Sequence, residues 1–228
     1  MLHKNIIITG TSSGIGFEMA KQFAQAGHKV LAISRNREPL ANFNHKNITI
    51  LSVDVSDEIH LKKVKNYLKQ HWEKVDILIN NAGHLVNKPF FKLSQQDFLD
   101  VYNVNVFAVA RLIQLSMPYL KKGSHVINIS SIGGVSGSLK FPGLAAYSSS
   151  KAALINLTEL LAEEYKDTQI SFNALALGAV QTEMLAKAFP DYKAPVSAKE
   201  MAAYIVNFAM TGQKYFNGKV IEVSSTTP

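Results

Sequence analysis

The 228-residue chain contains no cysteine. That absence excludes disulfides, thiolate zinc sites, iron–sulfur clusters and a cysteine nucleophile together, and leaves the compartment open. Charge is sparse as well: 18% of residues are Asp, Glu, Lys or Arg against 47% hydrophobic, the balance of an ordinary globular protein. No apolar run approaches the roughly 18 residues that a membrane-spanning helix requires. The N-terminal stretch reaches Gly10 before a signal-peptide core forms, so a soluble, cytoplasmic protein without a membrane partner is expected. The seven histidines show no metal-ligand spacing near a strand end, and no metal is expected; His84, following Gly83, is the one placed to touch a substrate. The net charge is +7 (24 Lys and Arg against 17 Asp and Glu), with a pI near 9.4. The basic residues are scattered, with Lys62–Lys63 and Lys121–Lys122 the tightest pairs, which reads as a solvated surface and not as a nucleic-acid site.

What is present is an alternation. Strand-length apolar runs at residues 6–9, 30–33, 48–53, 75–79, 126–129, 170–177 and 219–223 are separated by stretches of helical period. The helical stretches are 14–26 (Ile15, Met19, Phe23, Ala26), a short one from Arg37, 57–72 (Ile59, Val64, Leu68), 94–117 ending at Pro118, 147–165 and 198–210. Continuous apolar strands alternating with helices imply an α/β, doubly wound parallel sheet of about seven strands, covered on both faces. No linker, charge block or repeat divides the chain, so 1–228 reads as one domain. Ligands bind such sheets beyond the C-terminal ends of the strands.

Those ends carry the informative residues. The first strand runs into Gly10-Thr11-Ser12-Ser13-Gly14-Ile15-Gly16 at a helix start, where glycines and unpaired N–H groups suit a phosphate. Its Gly-x3-Gly-x-Gly spacing differs from the Gly-x-Gly-x-x-Gly fingerprint. The fourth strand ends in Asn80-Asn81-Ala82-Gly83, the fifth in Asn128-Ile129-Ser130-Ser131, and the sixth in Gly178-Ala179-Val180-Gln181-Thr182. A helix opens with Tyr147-Ser148-Ser149-Ser150-Lys151. These motifs, in this order over nearly the whole chain, resemble the short-chain dehydrogenase/reductase family.

The chemistry stands on its own argument. Tyr147 and Lys151 lie four residues apart on one helix and share a face. A tyrosine titrates near ~10, too high for acid–base work at neutral pH. A lysine cation about 4 Å away at an effective dielectric of ~20 is worth about 4 kcal/mol, enough to bring the phenol close to ~7. Ser131, facing the same crevice, would hydrogen-bond the substrate oxygen as its charge changes. The resemblance implies that Tyr147 is the acid/base, that Lys151 also holds the nicotinamide ribose, and that Ser131 orients the carbonyl. It also implies that Asn105 anchors a proton-relay water. It places the dinucleotide along Gly10, Ser12, Ser13, Gly14, Ile15 and Gly16, the adenine at Asp54 and Val55, and its adenosine side against Asn81, Ala82 and Gly83. Gly178, Val180 and Thr182 complete the cofactor set.

Cofactor choice is read from the end of the second strand, where an acid would accept the ribose 2′-hydroxyl and repel a 2′-phosphate. Here stand Ser34 and Arg35, with Arg37 a second basic residue, so NADP is expected over NAD. Three departures from the family pattern stand out. The Ser131–Tyr147 separation of 147 − 131 = 16 is long, which leaves Ser136 or Ser138 as a substitute for Ser131. The Pro-Gly usual after the sixth strand is Leu177-Gly178. The tail after the last strand, ending Thr226-Thr227-Pro228, is short. Residues 183–197 read as a mobile lid over a partly apolar substrate.

The function expected is an NADP-dependent oxidoreductase interconverting a carbonyl and a secondary alcohol on a small-molecule substrate. A non-catalytic NAD(P)-binding regulator is the alternative, and nucleic-acid binding a third reading. The resemblance implies a homodimer or homotetramer formed through the helices at 94–117 and 147–165.

Overall fold

The computed structural model describes residues 3–224; the tail residues Thr226, Thr227 and Pro228 lie outside them. Strand β1 (Asn5–Thr9) leads through α1 (Gly14–Gln25) to β2 (Lys29–Ser34), α2 (Glu38–Phe43), β3 (Ile48–Ser52), α3 (Glu58–His71) and β4 (Val75–Asn80). There follow α4 (Gln95–Tyr102), α5 (Ala108–Ser116), β5 (Leu120–Ser131), α6 (Ala145–Glu164) and β6 (Ser171–Leu177). The chain closes with β7 (Val180–Gln181), α7 (Glu183–Ala188), β8 (Val196–Ser197), α8 (Ala198–Thr211) and β9 (Lys219–Val223). Seven strands form one parallel sheet in the order β3-β2-β1-β4-β5-β6-β9, and β7 pairs with β8 apart from it. The chain winds outward from β1 to β3, then returns to place β4 on the other side of β1. That reversal opens a crevice at the C-terminal ends of β1 and β4.

Alternation along the strands builds the two faces. Ile6 and Ile8 pack with Met19 and Phe23 of α1 and Ile205 and Phe208 of α8. Ile7 points the other way, into a layer with Val64 and Leu68 of α3, Leu112 of α5 and Leu154 of α6. Both faces are covered, which is why the strands read as unbroken apolar runs. In α3 the buried stripe is Leu61, Val64 and Leu68; Ile59, expected on that stripe, is exposed.

The single helix expected over 94–117 is interrupted. Five residues, Asn103–Phe107, form a π turn between α4 and α5, and a 3-10 turn at Met117–Tyr119 carries Pro118. Against the expectation of no membrane-length stretch, Gln95–Tyr119, its turns included, is a 25-residue helical run that holds an 18-residue window of mean hydropathy 1.2, long and apolar enough by those measures to cross a membrane. In this fold Val101, Leu112 and Ile113 of that run are buried in the protein core.

One buried titratable group makes stability depend on pH. His125 in β5 is fully buried. Its Nδ1 donates to Ala209 O at 3.3 Å, and Asn173 Nδ2 donates to its Nε2 at 3.0 Å. The Asn173 amide orientation is fixed because its Oδ1 accepts from Lys219 N. The network therefore uses neutral histidine, and burial lowers the imidazole from 6.5 to about 4. His28 is lowered too, by burial first and then by Lys4 and His3. The unfolded chain binds the proton first, so stability is complete above about pH 6.5 and is lost as pH falls towards 4. His125 alone contributes on the order of 3 kcal/mol to that loss. Urea unfolding from pH 7 to 4 should show this slope, and His125→Gln should flatten it; an unchanged slope in the variant would place the proton uptake elsewhere.

Candidate functional site

The crevice is a cleft of about 930 Å³ beyond the strand ends. Every catalytic and cofactor-site residue expected from the sequence lines it except Asn105, whereas the secondary candidates Arg37, Ser136 and Ser138 do not. At one end lies the turn between β1 and α1. Gly14 has φ +56°, a left-handed conformation that a side chain would strain, with Thr182 Cγ2 3.4 Å from where a Cβ would stand. Gly16 serves packing instead: a Cβ there would collide with the Gly10 carbonyl oxygen. Helices α3, α4, α7 and α8 cap their first turns with side-chain oxygens from Asp57, Ser94, Thr182 and Ser197. Helix α1 has no such cap. Its first-turn N–H groups open on the cleft beside Ser12 and Ser13, with the helix dipole behind them, which fits a dinucleotide's phosphates.

The turn after β4 is braced against this loop. Thr9 Oγ1 accepts from the amides of Asn81 and Ala82, both at 3.0 Å, and Asn81 Nδ2 donates to Thr9 O at 2.9 Å and Gly10 O at 3.3 Å. Asn81 thus lines the cleft while its amide N–H groups hold the two strand ends together. Thr9 is a bracing residue that the sequence reading did not single out, because a threonine closing an apolar strand carries no distinguishing pattern.

Further along, Ser34 is nearly buried and its hydroxyl donates to Asn36 O at 2.7 Å. Arg35 is exposed on the cleft wall, whereas Arg37 lies outside the lining and precedes α2. Asp54 accepts from Ser56 N at 2.9 Å and Ser56 Oγ at 2.6 Å. Partial burial raises its carboxyl, but these bonds and the charges of Arg35 and His60 outweigh that and hold it below its ordinary value. Val55 and Gly83 complete this wall; Gly178, Val180 and Thr182 form the one opposite. The Gly178 amide donates to Val223 O at 3.0 Å, so the turn without proline is held by β9.

At the other end are Ser131, closing β5, and Tyr147 and Lys151 in the first turns of α6. Ser131 hydrogen-bonds Tyr147, and its Oγ accepts from Gly133 N at 3.3 Å. Ser138 is instead tied to the carbonyls of Ile132 and Val135, and neither it nor Ser136 lines the cleft; the long loop leaves Ser131 in place. Lys151 Nζ donates to Ile129 O at 2.7 Å and sits 5.6 Å from the centroid of the Tyr147 ring. The expected lowering of the phenol is not found. Tyr147 keeps a partly exposed edge, yet protein crowds it enough that burial pushes the phenol up to about 12, against the pull of the Ser131 hydrogen bond. Burial also brings Lys151 down to about 8.

Asn105 stands behind the wall, fully buried in the π turn. Its Oδ1 accepts from His84 N at 2.8 Å, and its Nδ2 donates to His84 O at 3.0 Å and Ser150 Oγ at 2.9 Å. Ser150 in turn donates to Tyr147 O at 2.6 Å. One amide thereby joins the turn after β4 to the helix that carries Tyr147. The extra residue of a π turn rotates Asn105 inward, a device common at functional sites. Residues 183–197 form α7, a loop and β8, with Met184, Leu185, Phe189 and Tyr192 lining the cleft opposite Phe141 and Leu144.

A family model described as short chain dehydrogenase matches residues 4–193. The 3-oxoacyl-[acyl-carrier-protein] reductase FabG of Thermotoga maritima is 30% identical over 240 residues, covering 96% of each chain. The fatty acyl-CoA reductase of Acinetobacter baylyi is 30% identical over 217 residues, covering 91% of this chain and 72% of its own. Among solved structures, ElxO with NADP bound has a TM-score of 0.85 at 27% identity over 97% of each chain. A 3-ketoacyl-(acyl-carrier-protein) reductase from Brucella melitensis complexed with NADH has a TM-score of 0.86 at 25% identity over 96% of each. Sequence match, sheet order and cleft agree: the chain belongs to the short chain dehydrogenase family and is a nicotinamide-dependent oxidoreductase acting on alcohol or carbonyl groups of small molecules.

Proposed function

We propose that the chain, one catalytic domain over 1–228, is an NADP-dependent reductase of ketones or aldehydes, with Tyr147 as general acid/base. The observation that carries this is the Tyr147 phenol, bonded to Ser131, in the same cleft as the uncapped start of α1. Bound nicotinamide supplies a hydride for the carbonyl carbon. Ser131 donates a hydrogen bond to the carbonyl oxygen, and Tyr147 gives that oxygen its proton. A phenol at about 12 is protonated near neutral pH. It is still far more acidic than an aliphatic alcohol, whose hydroxyl resembles water at ~15.7. The site is therefore set to deliver a proton in the reductive direction. Lys151, anchored on Ile129 O, keeps further N–H donors for the nicotinamide ribose and carries positive charge below about pH 8. Asn105 holds His84 and Ser150, and through them the wall on which any relay water sits.

The surfaces of α4–α5 and α6 expose Leu99, Phe107 and Leu160, which supports pairing between copies in a dimer or tetramer. The test of function is a panel of ketones, aldehydes and secondary alcohols, each with NADPH or NADP and NADH or NAD, followed by nicotinamide absorbance. Turnover of apolar carbonyls with NADPH is expected. Tight nucleotide binding without turnover of any compound would set the enzymatic reading aside.

A further inference from the structure

The substrate half of the cleft is roofed by residues 182–195, which leave and rejoin the fold at β7 and β8. The base of this excursion is pinned by the pairs Val180–Val196 and Gln181–Ser197, and by Gln181 Oε1 accepting from Ala194 N at 2.8 Å. The start of α7 is capped by Thr182, whose Oγ1 accepts from Leu185 N at 3.2 Å. The far end of α7 is tied to the opposite wall by one side chain. Asn87, in the turn after β4, donates from Nδ2 to Ala188 O at 2.9 Å. The oxygen of the same amide faces the loop after β5, where a Cβ on Gly143 would collide with Asn87 Oδ1. The next residue continues the seam, with Lys88 N donating to Gly143 O at 3.0 Å. Three segments that share no strand pairing therefore meet at Asn87.

What this holds in place is the reacting end. A Cβ on Gly83 would stand 3.8 Å from both Met184 Cε and Lys151 Nζ, so the tied lid brings an apolar side chain to the same point of the cleft wall that Lys151 reaches. We propose that Asn87 is a positioning residue that latches α7 over the reacting end of the cleft, its release admitting and discharging ligand. The proposal rests on the cleft being the reductase site. The latch is exposed, so water competes for both of its partners. A neutral hydrogen bond of this kind shifts an open–closed balance by about two- to tenfold, enough to favour closure and little enough to open in each cycle.

Trypsin reads the latch without needing substrate. The lid carries two exposed lysines, Lys187 within α7 and Lys193 after it, and cleavage there requires local opening. Asn87→Ala removes the amide; Asn87→Asp keeps its shape and removes the donor. Both variants should be cut at Lys187 and Lys193 about two- to tenfold faster than the unaltered protein, with cleavage elsewhere unchanged. Substrate KM should rise by a similar factor while kcat holds or increases. Equal cleavage of all three proteins overturns the proposal. So does wild-type behaviour of Asn87→Asp, which would assign the effect to packing on Gly143, and so does faster cutting at every site alike. Faster lid cleavage in a protein that turns over nothing in the panel would leave the latch standing and remove the reductase reading; turnover with an unaltered lid would do the reverse.

Discussion

Tyr147→Phe should lower kcat by about 10²–10⁴-fold, the range for loss of a positioned proton donor, and leave both nucleotide dissociation constants nearly unchanged. Phenylalanine keeps the ring over which Lys151 Nζ lies, and Ser131 keeps its bond from Gly133 N, so what is lost is the transferable proton and the hydrogen bond between the phenol and Ser131. The protonation states sharpen the expectation. Carbonyl reduction draws on the neutral phenol, which predominates below about pH 12. Alcohol oxidation needs the phenolate, so its rate in the unaltered protein should climb with pH where the reductive rate does not. Purified variant and wild type, compared in both directions from pH 6 to 10 on a good substrate from the panel, decide the matter. A Tyr147→Phe protein with most of its activity and an unaltered pH profile would mean that another group lining the cleft, such as His84, carries the proton.

The sheet was legible because its inner strands are covered on both sides, while the edge strands β3 and β9 are half-buried. Burial on both faces demands the unbroken runs at Ile6–Ile8 and Leu78–Ile79, and no alternative element of that length fits them. The strand-end motifs were legible because glycines and hydroxyls cluster where chain reversals and a ligand need them. The π turn at Asn103–Phe107 was not, since one extra residue barely disturbs an apolar periodicity read over a long window; its one trace is a polar Asn105 at an inward position. The phenol's acidity was misjudged for a different reason. Four-residue spacing on a helix does put Tyr147 and Lys151 on one face, but it says nothing about burial or about a competing acceptor. The Ile129 carbonyl that takes the Lys151 ammonium belongs to the backbone, which has no residue signature. Asn87 was hidden likewise, its partner being the carbonyl of Ala188, 101 residues away.

Arg35→Ala should weaken NADP binding by about ten- to a hundredfold and leave NAD binding nearly untouched. The factor follows from a charge-assisted hydrogen bond worth about 1.5–3 kcal/mol, each tenfold being about 1.4 kcal/mol. The geometry supports a direct contact: Arg35 is exposed on the cleft wall just past β2, close enough to Asp54 to lower that carboxyl, while Arg37 lies outside the lining. Asp54 also competes for the guanidinium, so the net preference should fall at the lower end of that range. Adding Ser34→Asp should reverse the preference, because the new carboxylate repels a 2′-phosphate and accepts a free 2′-hydroxyl. The Ser34 hydroxyl now donates to Asn36 O. A carboxylate cannot donate there and is repelled by that oxygen, which turns it towards the cleft, at a stability cost of about 1 kcal/mol for the lost hydrogen bond. Calorimetric dissociation constants of NADP and NAD for the unaltered protein, the single variant and the double variant measure both effects. Equal losses for the two nucleotides in Arg35→Ala would show that the Arg35 side chain supports the loop and does not read the phosphate, since the bond from the Ser52 hydroxyl to the Arg35 backbone carbonyl at 2.9 Å survives the substitution.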